Sequence, residues 1–109
     1  MSVAYVIRPK ADHDLDDQAY YLATEASIEI GHHFLLAAHE TFGLLATQPE
    51  MGWDARLKHP ELTSLRVFRV SGFERILVLY RPHSSGVEIL RVVHSSRSFQ
   101  ALLRREGIE

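Results

Sequence analysis

Three apolar, strand-like runs separated by short turn segments occupy residues 65–94 and constrain the fold more than any other feature. The runs read LRVFRV, ERILVLYR and GVEILRVVH, and the segments between them read SGF and PHSS. Glycine, proline and serine favour turns of hairpin length, and strands joined by such turns pair antiparallel. The sequence therefore predicts a three-stranded antiparallel meander.

A strand and a helix are predicted ahead of the meander. The segment VAYVIRP alternates like a strand, and Pro9 both ends it and suits the first turn of a helix. Apolar residues then recur on one helical face at Leu15, Ala19 and Leu22. Four aspartates at positions 12, 14, 16 and 17 lie in the first turns, where negative charge complements the helix dipole. We interpret this acidic cluster as helix stabilisation.

A second helix is predicted to begin after Ser27, which can cap it, and to end before Pro49. Its predicted apolar face comprises Ile30, Phe34, Ala38, Thr41 or Phe42, and Leu45. Residues 48–64 lack a sustained period and predict a loop, with Trp53 packed onto the core. A short helix is predicted over 98–109. The expected fold is α+β, in the order β-α-α-β-β-β-α, with a helix hairpin on a small antiparallel sheet.

Length and composition favour one globular domain over residues 1–109. The chain has 109 residues, 46% of them hydrophobic and 24% charged, which is ordinary for a globular protein. The absence of cysteine excludes disulfides, thiolate metal sites and thiol nucleophiles. We find no signal-peptide pattern and no apolar run of about 20 residues, the length needed to cross a membrane. We therefore expect a cytoplasmic protein.

Motifs for metal or cofactor chemistry are missing from the sequence. The segment GHHFLLAAHE carries three of the seven histidines, without the i, i+4 pair that places two ligands on one helix face. No phosphate-binding loop, nucleophile elbow or dinucleotide-binding motif occurs. We expect neither a metal site nor a cofactor, and we interpret the histidines as an exposed helix face.

The two halves of the chain differ in charge. Residues 1–64 hold 4 Lys/Arg against 10 Asp/Glu, whereas residues 65–109 hold 8 against 4. All the basic residues of the second half are arginines, whose planar guanidinium binds carboxylates and phosphates through two points. An acidic protein or a nucleic acid is therefore a candidate partner, and a solvated surface is the alternative.

The predicted strands are apolar on both faces. In the middle run one face carries Ile76, Val78 and Tyr80, and the other carries Leu77, Leu79 and Arg81. The last run divides in the same way, into Val87, Ile89 and Val93 against Leu90 and Val92. Because two helices cover one face, we expect the other to form an apolar binding surface unless the loop and the terminal helix cover it.

His94 and Arg97 stand where the last apolar run stops. Histidine exchanges protons near neutral pH and arginine holds phosphate, so the pair could cleave RNA by general acid–base chemistry. The alternative is that both residues cap and orient the chain that follows.

Four segments together resemble the ParE branch of the ParE/RelE toxin superfamily. They are RPKADHDLDDQAYYLA, FLLAAHETFGLLATQPEMGWD, LRVFRVSGFERILVLYRP and GVEILRVVHSSRSFQALL, and they span nearly the whole chain. The resemblance rests on the order of the patterns L-x-x-x-P-x-M-G, R-x-F, L-Y-R and G-V-E-I-L-R-V-x-H. The usual ParE ending H-G-x-R-D differs here, since Ser95 and Ser98 replace its glycine and aspartate.

The resemblance implies a bacterial type II toxin that serves plasmid or genome stabilisation and stress response. It implies inhibition of DNA gyrase by binding, neutralisation by a ParD-like antitoxin encoded by an adjacent gene, and a toxin–antitoxin hetero-oligomer that meets DNA only through its partners. We assign target binding to Arg81, Arg91, His94 and Arg97, and antitoxin binding to Leu77, Leu79 and Arg81.

Two alternatives remain open on sequence alone. A RelE-like toxin would cleave messenger RNA on the ribosome, with His94 and Arg97 as its catalytic residues. Against this, the sequence has Leu77 where the RelE branch tends to carry arginine, and it has no tyrosine after Tyr80. A non-toxic remnant that only binds its antitoxin is the other alternative. We favour a binding protein over an enzyme.

Overall fold

The computed structural model describes residues 4–55 and 64–97, which form two helices and a five-stranded sheet. The elements in chain order are β1 Ala4–Ile7, α1 Pro9–Glu25, α2 Ile28–Thr47, β2 Trp53–Asp54, β3 Arg66–Val70, β4 Phe73–His83 and β5 Gly86–His94. The predicted α+β class and the helix hairpin on a sheet are confirmed. The helix predicted over 98–109 lies outside the described residues.

The helix boundaries follow the predicted signals. Pro9 is the first residue of α1, where its missing N–H costs nothing. Ser27 caps α2 by accepting a hydrogen bond at its Oγ from the Ile30 amide at 3.1 Å, and α2 ends at Thr47, ahead of Pro49. Ile30 itself is 38% exposed, so its assignment to the apolar face was wrong.

The sheet is mixed and has the strand order β1-β5-β4-β3-β2. The meander β3-β4-β5 is antiparallel, as predicted, but β1 pairs parallel with β5 at one edge. At their junction a Cβ on Gly86 would lie 1.7 Å from the Ala4 carbonyl oxygen, so only glycine fits there. The predicted loop contains the short strand β2, where Trp53 is 42% exposed and so does not fill the core.

The main core lies between the helices and one sheet face. Phe34, Ala38, Thr41, Phe42 and Leu45 of α2 are buried as predicted. The sheet contributes the predicted set Ile76, Val78 and Tyr80 from β4.

A β-bulge changes which β5 side chains face this core. Tyr80 pairs with Ile89 and Leu79 with Arg91, so β5 holds one extra residue between them. The extra residue reverses the alternation, and Val92 rather than Val93 joins Val87 and Ile89 in the main core. The predicted face for Val92 and Val93 was therefore wrong.

The opposite sheet face is also apolar and is buried. Leu65, Val67, Leu79 and Leu90 form a second cluster, in which Leu79 has no exposed surface. The expectation of an open apolar face is therefore wrong for these residues. Leu77 and Arg81, expected beside Leu79 in an antitoxin contact, are partly exposed.

Candidate functional site

The turn that follows β5 contains both His94 and Arg97, and its backbone hydrogen bonds join the two residues. The Arg97 amide donates to the His94 carbonyl at 3.0 Å, and the Ser96 amide donates to His94 Nδ1 at 3.1 Å. The Ser95 amide donates to the Arg75 carbonyl at 2.7 Å, which ties the turn to β4. Each of the three backbone amides of residues 95–97 therefore donates a hydrogen bond.

The His94 ring has a defined hydrogen-bonding role. A backbone amide can only donate, so Nδ1 must be the acceptor, and the neutral ring then carries its proton on Nε2. Ser96 Oγ also lies 3.0 Å from Nδ1. The only nitrogen with a lone pair is thus already engaged, and the ring offers an N–H donor at Nε2.

A shallow groove of about 300 Å³ adjoins His94 on the α1 side. It is lined by both apolar and polar side chains, those of Gln18, Tyr21, Leu22, Phe73, Glu74, Arg75, Ile76 and His94. Arg75 and Arg97 are both exposed. Among residues 4–55 and 64–97, the Arg97 guanidinium has no hydrogen-bond or ion-pair partner, so its charge is available to a ligand.

Arg81 is partly engaged within the fold. Its Nε donates to Glu88 Oε1 at 2.7 Å, and Arg8 Nη1 donates to Glu88 Oε2 at 2.9 Å. Burial raises the pKa of the Glu88 carboxyl, but the hydrogen bonds from Arg81 and Arg8 outweigh it and hold that pKa below its ordinary value. The Arg81 side chain keeps 33% of its surface exposed.

Arg91 lies inside the molecule, unlike the other residues predicted to bind a target. It is 8% exposed, and its Nε and Nη2 donate to the two carboxylate oxygens of Asp14 at 2.8 and 3.0 Å. Asp14 Oδ2 also accepts from the Val92 amide at 2.9 Å. Asp14 therefore ties α1 to the β5 bulge, which the interpretation of the acidic cluster as helix stabilisation missed.

Tyr80 forms a second set of internal contacts, which its predicted place on one face of β4 did not indicate. Its hydroxyl accepts from the Gly52 amide at 2.8 Å and donates to the Pro49 carbonyl at 2.9 Å. Arg66 reaches the same loop and donates to the carbonyls of Glu50 and Gly52. Burial raises the pKa of Tyr80. The patterns P-x-M-G, R-x-F and L-Y-R thus meet at one loop.

The described residues show neither a metal site nor a membrane-spanning helix. Residues 4–55 and 64–97 contain no group of three or more His, Asp or Glu side chains arranged to hold a metal ion. His32, His33 and His39 are exposed along α2, and His39 Nδ1 is 2.9 Å from the Tyr5 hydroxyl. Neither α1 nor α2 has the length and hydropathy of a membrane span.

Comparison with known proteins gives a family and a fold. Residues 5–99 match the family described as the ParE toxin of the type II toxin–antitoxin system parDE. The structure is similar to a chain of the chromosomal ParDE toxin–antitoxin system from P. aeruginosa, with a TM-score of 0.68 and 16% sequence identity. That alignment covers 84% of this chain and 95% of the other. No curated protein sequence shows significant similarity to the chain.

Proposed function

Because this chain belongs to the ParE toxin family of type II toxin–antitoxin systems, we propose that it inhibits DNA gyrase by binding it and that a ParD-like antitoxin neutralises it. The observation that carries the proposal is the family match itself. The match over residues 5–99 includes the His94–Arg97 turn as well as the helices and the sheet.

The chemistry of the turn supports binding rather than catalysis. A general base needs a free lone pair, and the His94 lone pair on Nδ1 is taken up by the Ser96 amide. An exposed guanidinium suits a two-point contact with a carboxylate or a phosphate. We therefore place the gyrase contact at Arg97, which the turn after β5 presents, and at Arg81. We leave out Arg91 because its guanidinium is committed to Asp14.

The antitoxin contact is proposed for the opposite sheet face, at Leu77 and Arg81. Both residues are partly exposed and project from β4 beside the buried Leu79. An amphipathic antitoxin segment would place apolar side chains on Leu77 and a carboxylate on Arg81. Such a contact makes a hetero-oligomer and needs no DNA contact from the toxin itself.

The test is induced expression of the chain in bacteria, with and without the ParD-like protein encoded by the adjacent gene. We expect growth arrest with filamentation and a DNA damage response, and we expect coexpression to relieve all three. Cleaved messenger RNA with a rapid stop of translation would instead identify a ribosome-dependent endoribonuclease. Normal growth of cells that accumulate the folded protein would identify a non-toxic antitoxin-binding protein.

A further inference from the structure

We propose that His94 is a positioning residue, which fixes the turn that presents Arg97, and that its ring works as a hydrogen-bond acceptor. The inference rests on the proposed function, because it takes Arg97 as a target contact. It goes beyond that function by giving His94 a role that requires no proton transfer and no direct contact with the target.

The geometry of the turn carries the inference. Two of the three amides between Ser95 and Arg97 donate to His94, one to its ring and one to its carbonyl. The ring and the carbonyl of His94 therefore accept the hydrogen bonds that stabilise the turn. The Arg97 guanidinium has no hydrogen-bond partner within the described residues, so the contacts found there position Arg97 only through its backbone, which His94 holds.

The ring replaces a familiar turn-forming side chain. In an Asx-turn the side-chain oxygen of asparagine or aspartate accepts the amide two residues ahead. His94 Nδ1 accepts the Ser96 amide in the same relation, two residues ahead. Asparagine has its oxygen on Cγ, as histidine has Nδ1, whereas glutamine has its amide one bond farther out, near the place of Nε2. Asparagine should preserve the turn, and glutamine should not.

These two substitutions separate positioning from the other roles of a histidine. The side-chain amides of asparagine and glutamine cannot act as a general acid or base at neutral pH. An acid–base role for His94 therefore predicts that both variants lose activity. A direct contact through Nε2–H predicts the opposite order, with glutamine retained and asparagine lost. Only a positioning role predicts retention in His94→Asn and loss in His94→Gln.

The experiment compares the wild type with His94→Asn, His94→Gln, Arg97→Ala and the control Ser96→Ala, all as the full chain. Ser96→Ala keeps the amide that His94 holds and removes only the hydroxyl. One readout is hydrogen exchange of the amide at position 96 by NMR. The other is the Kd for purified DNA gyrase. We expect Arg97→Ala to weaken binding roughly tenfold or more, the equivalent of one charge-assisted hydrogen bond.

The positioning role predicts slow exchange at position 96 and wild-type affinity in His94→Asn and Ser96→Ala. In His94→Gln it predicts fast exchange and a loss of affinity no larger than that of Arg97→Ala. Slow exchange and full affinity in His94→Gln would overturn it, and so would lost affinity in His94→Asn with a protected amide. A wild type that does not bind gyrase would refute the proposed function, and the exchange rates would still decide whether His94 holds the turn.

Discussion

The Asp14 carboxylate meets the Arg91 guanidinium through two hydrogen bonds of 2.8 and 3.0 Å, across 77 residues of sequence. Both side chains are buried, and the carboxylate also accepts the Val92 amide. The pair joins α1 to β5 beside the bulge, and Asp14 supplies an acceptor for the Val92 amide. A buried pair of this kind is costly to break, because removing one partner leaves the other charge uncompensated.

We predict that Asp14→Ala lowers the free energy of unfolding by about 3–5 kcal/mol, the range for breaking a buried ion pair. Asp16→Ala is the matched control, since Asp16 lies on the same helix and is exposed. It should change stability by less than about 0.5 kcal/mol. Urea denaturation of both variants measures the difference. Equal effects would mean that the acidic cluster acts only on the helix dipole.

Gly86 and Gly43 should respond in opposite directions to alanine. A Cβ at Gly86 would overlap the Ala4 carbonyl, so Gly86→Ala must displace β1 and should cost about 1–3 kcal/mol or more. At Gly43, inside α2, a Cβ meets nothing within 4 Å, so Gly43→Ala should stabilise the helix by about 0.5–1 kcal/mol. Thermal melts test both. A tolerated Gly86→Ala would contradict the parallel pairing of β1 with β5.

Tyr80 should make stability fall at alkaline pH. Burial raises its pKa above the ordinary value of 10.0, so the folded protein holds the phenol proton more tightly than the unfolded chain. The stabilisation that this pKa difference gives the folded state is fully present below pH 10.0. It is lost as the pH rises through the pKa that Tyr80 has in the folded protein. Denaturation at a series of alkaline pH values should show the loss in the wild type and not in Tyr80→Phe.

Tyr80→Phe should also cost about 1–3 kcal/mol at neutral pH, because the Gly52 amide and the Pro49 carbonyl lose their shared partner. Tyr20→Phe is the control, since Tyr20 is 74% exposed and should leave stability unchanged. Equal stability of the two variants at neutral pH would show that the hydroxyl does not anchor the loop.

Every helix and strand except β2 was predictable, because each of the others has a local sequence signal. Pro9 and Ser27 mark the helix starts, and the alternating runs predict β3, β4 and β5 closely. The partner of β1 was not predictable, because alternation shows that a segment is a strand but not which strand it joins. The bulge at Leu90, between Ile89 and Arg91, was equally unpredictable, because one extra residue does not change the composition typical of a strand.

The candidate site was predictable in part. His94 and Arg97 stand out because polar residues follow an apolar run, whereas the amide of Ser96 carries no side-chain signal at all. Asp14 resembles its neighbouring aspartates in sequence, and only the approach of β5 distinguishes it. The packing of β5 against α1 also places Arg91 in the interior, beside Asp14. In sequence, Arg91 is one of eight arginines in residues 65–109, and nothing distinguishes it from the others.

Supercoiling of relaxed plasmid DNA by purified gyrase, in the presence of the purified 109-residue chain, tests the proposed function most directly. The account predicts inhibition by the wild type, relief by the ParD-like antitoxin, and inhibition roughly tenfold or more weaker for Arg97→Ala, the equivalent of one charge-assisted contact. A parallel translation reaction should keep its messenger RNA intact. Unaffected supercoiling together with cleaved messenger RNA would contradict the account.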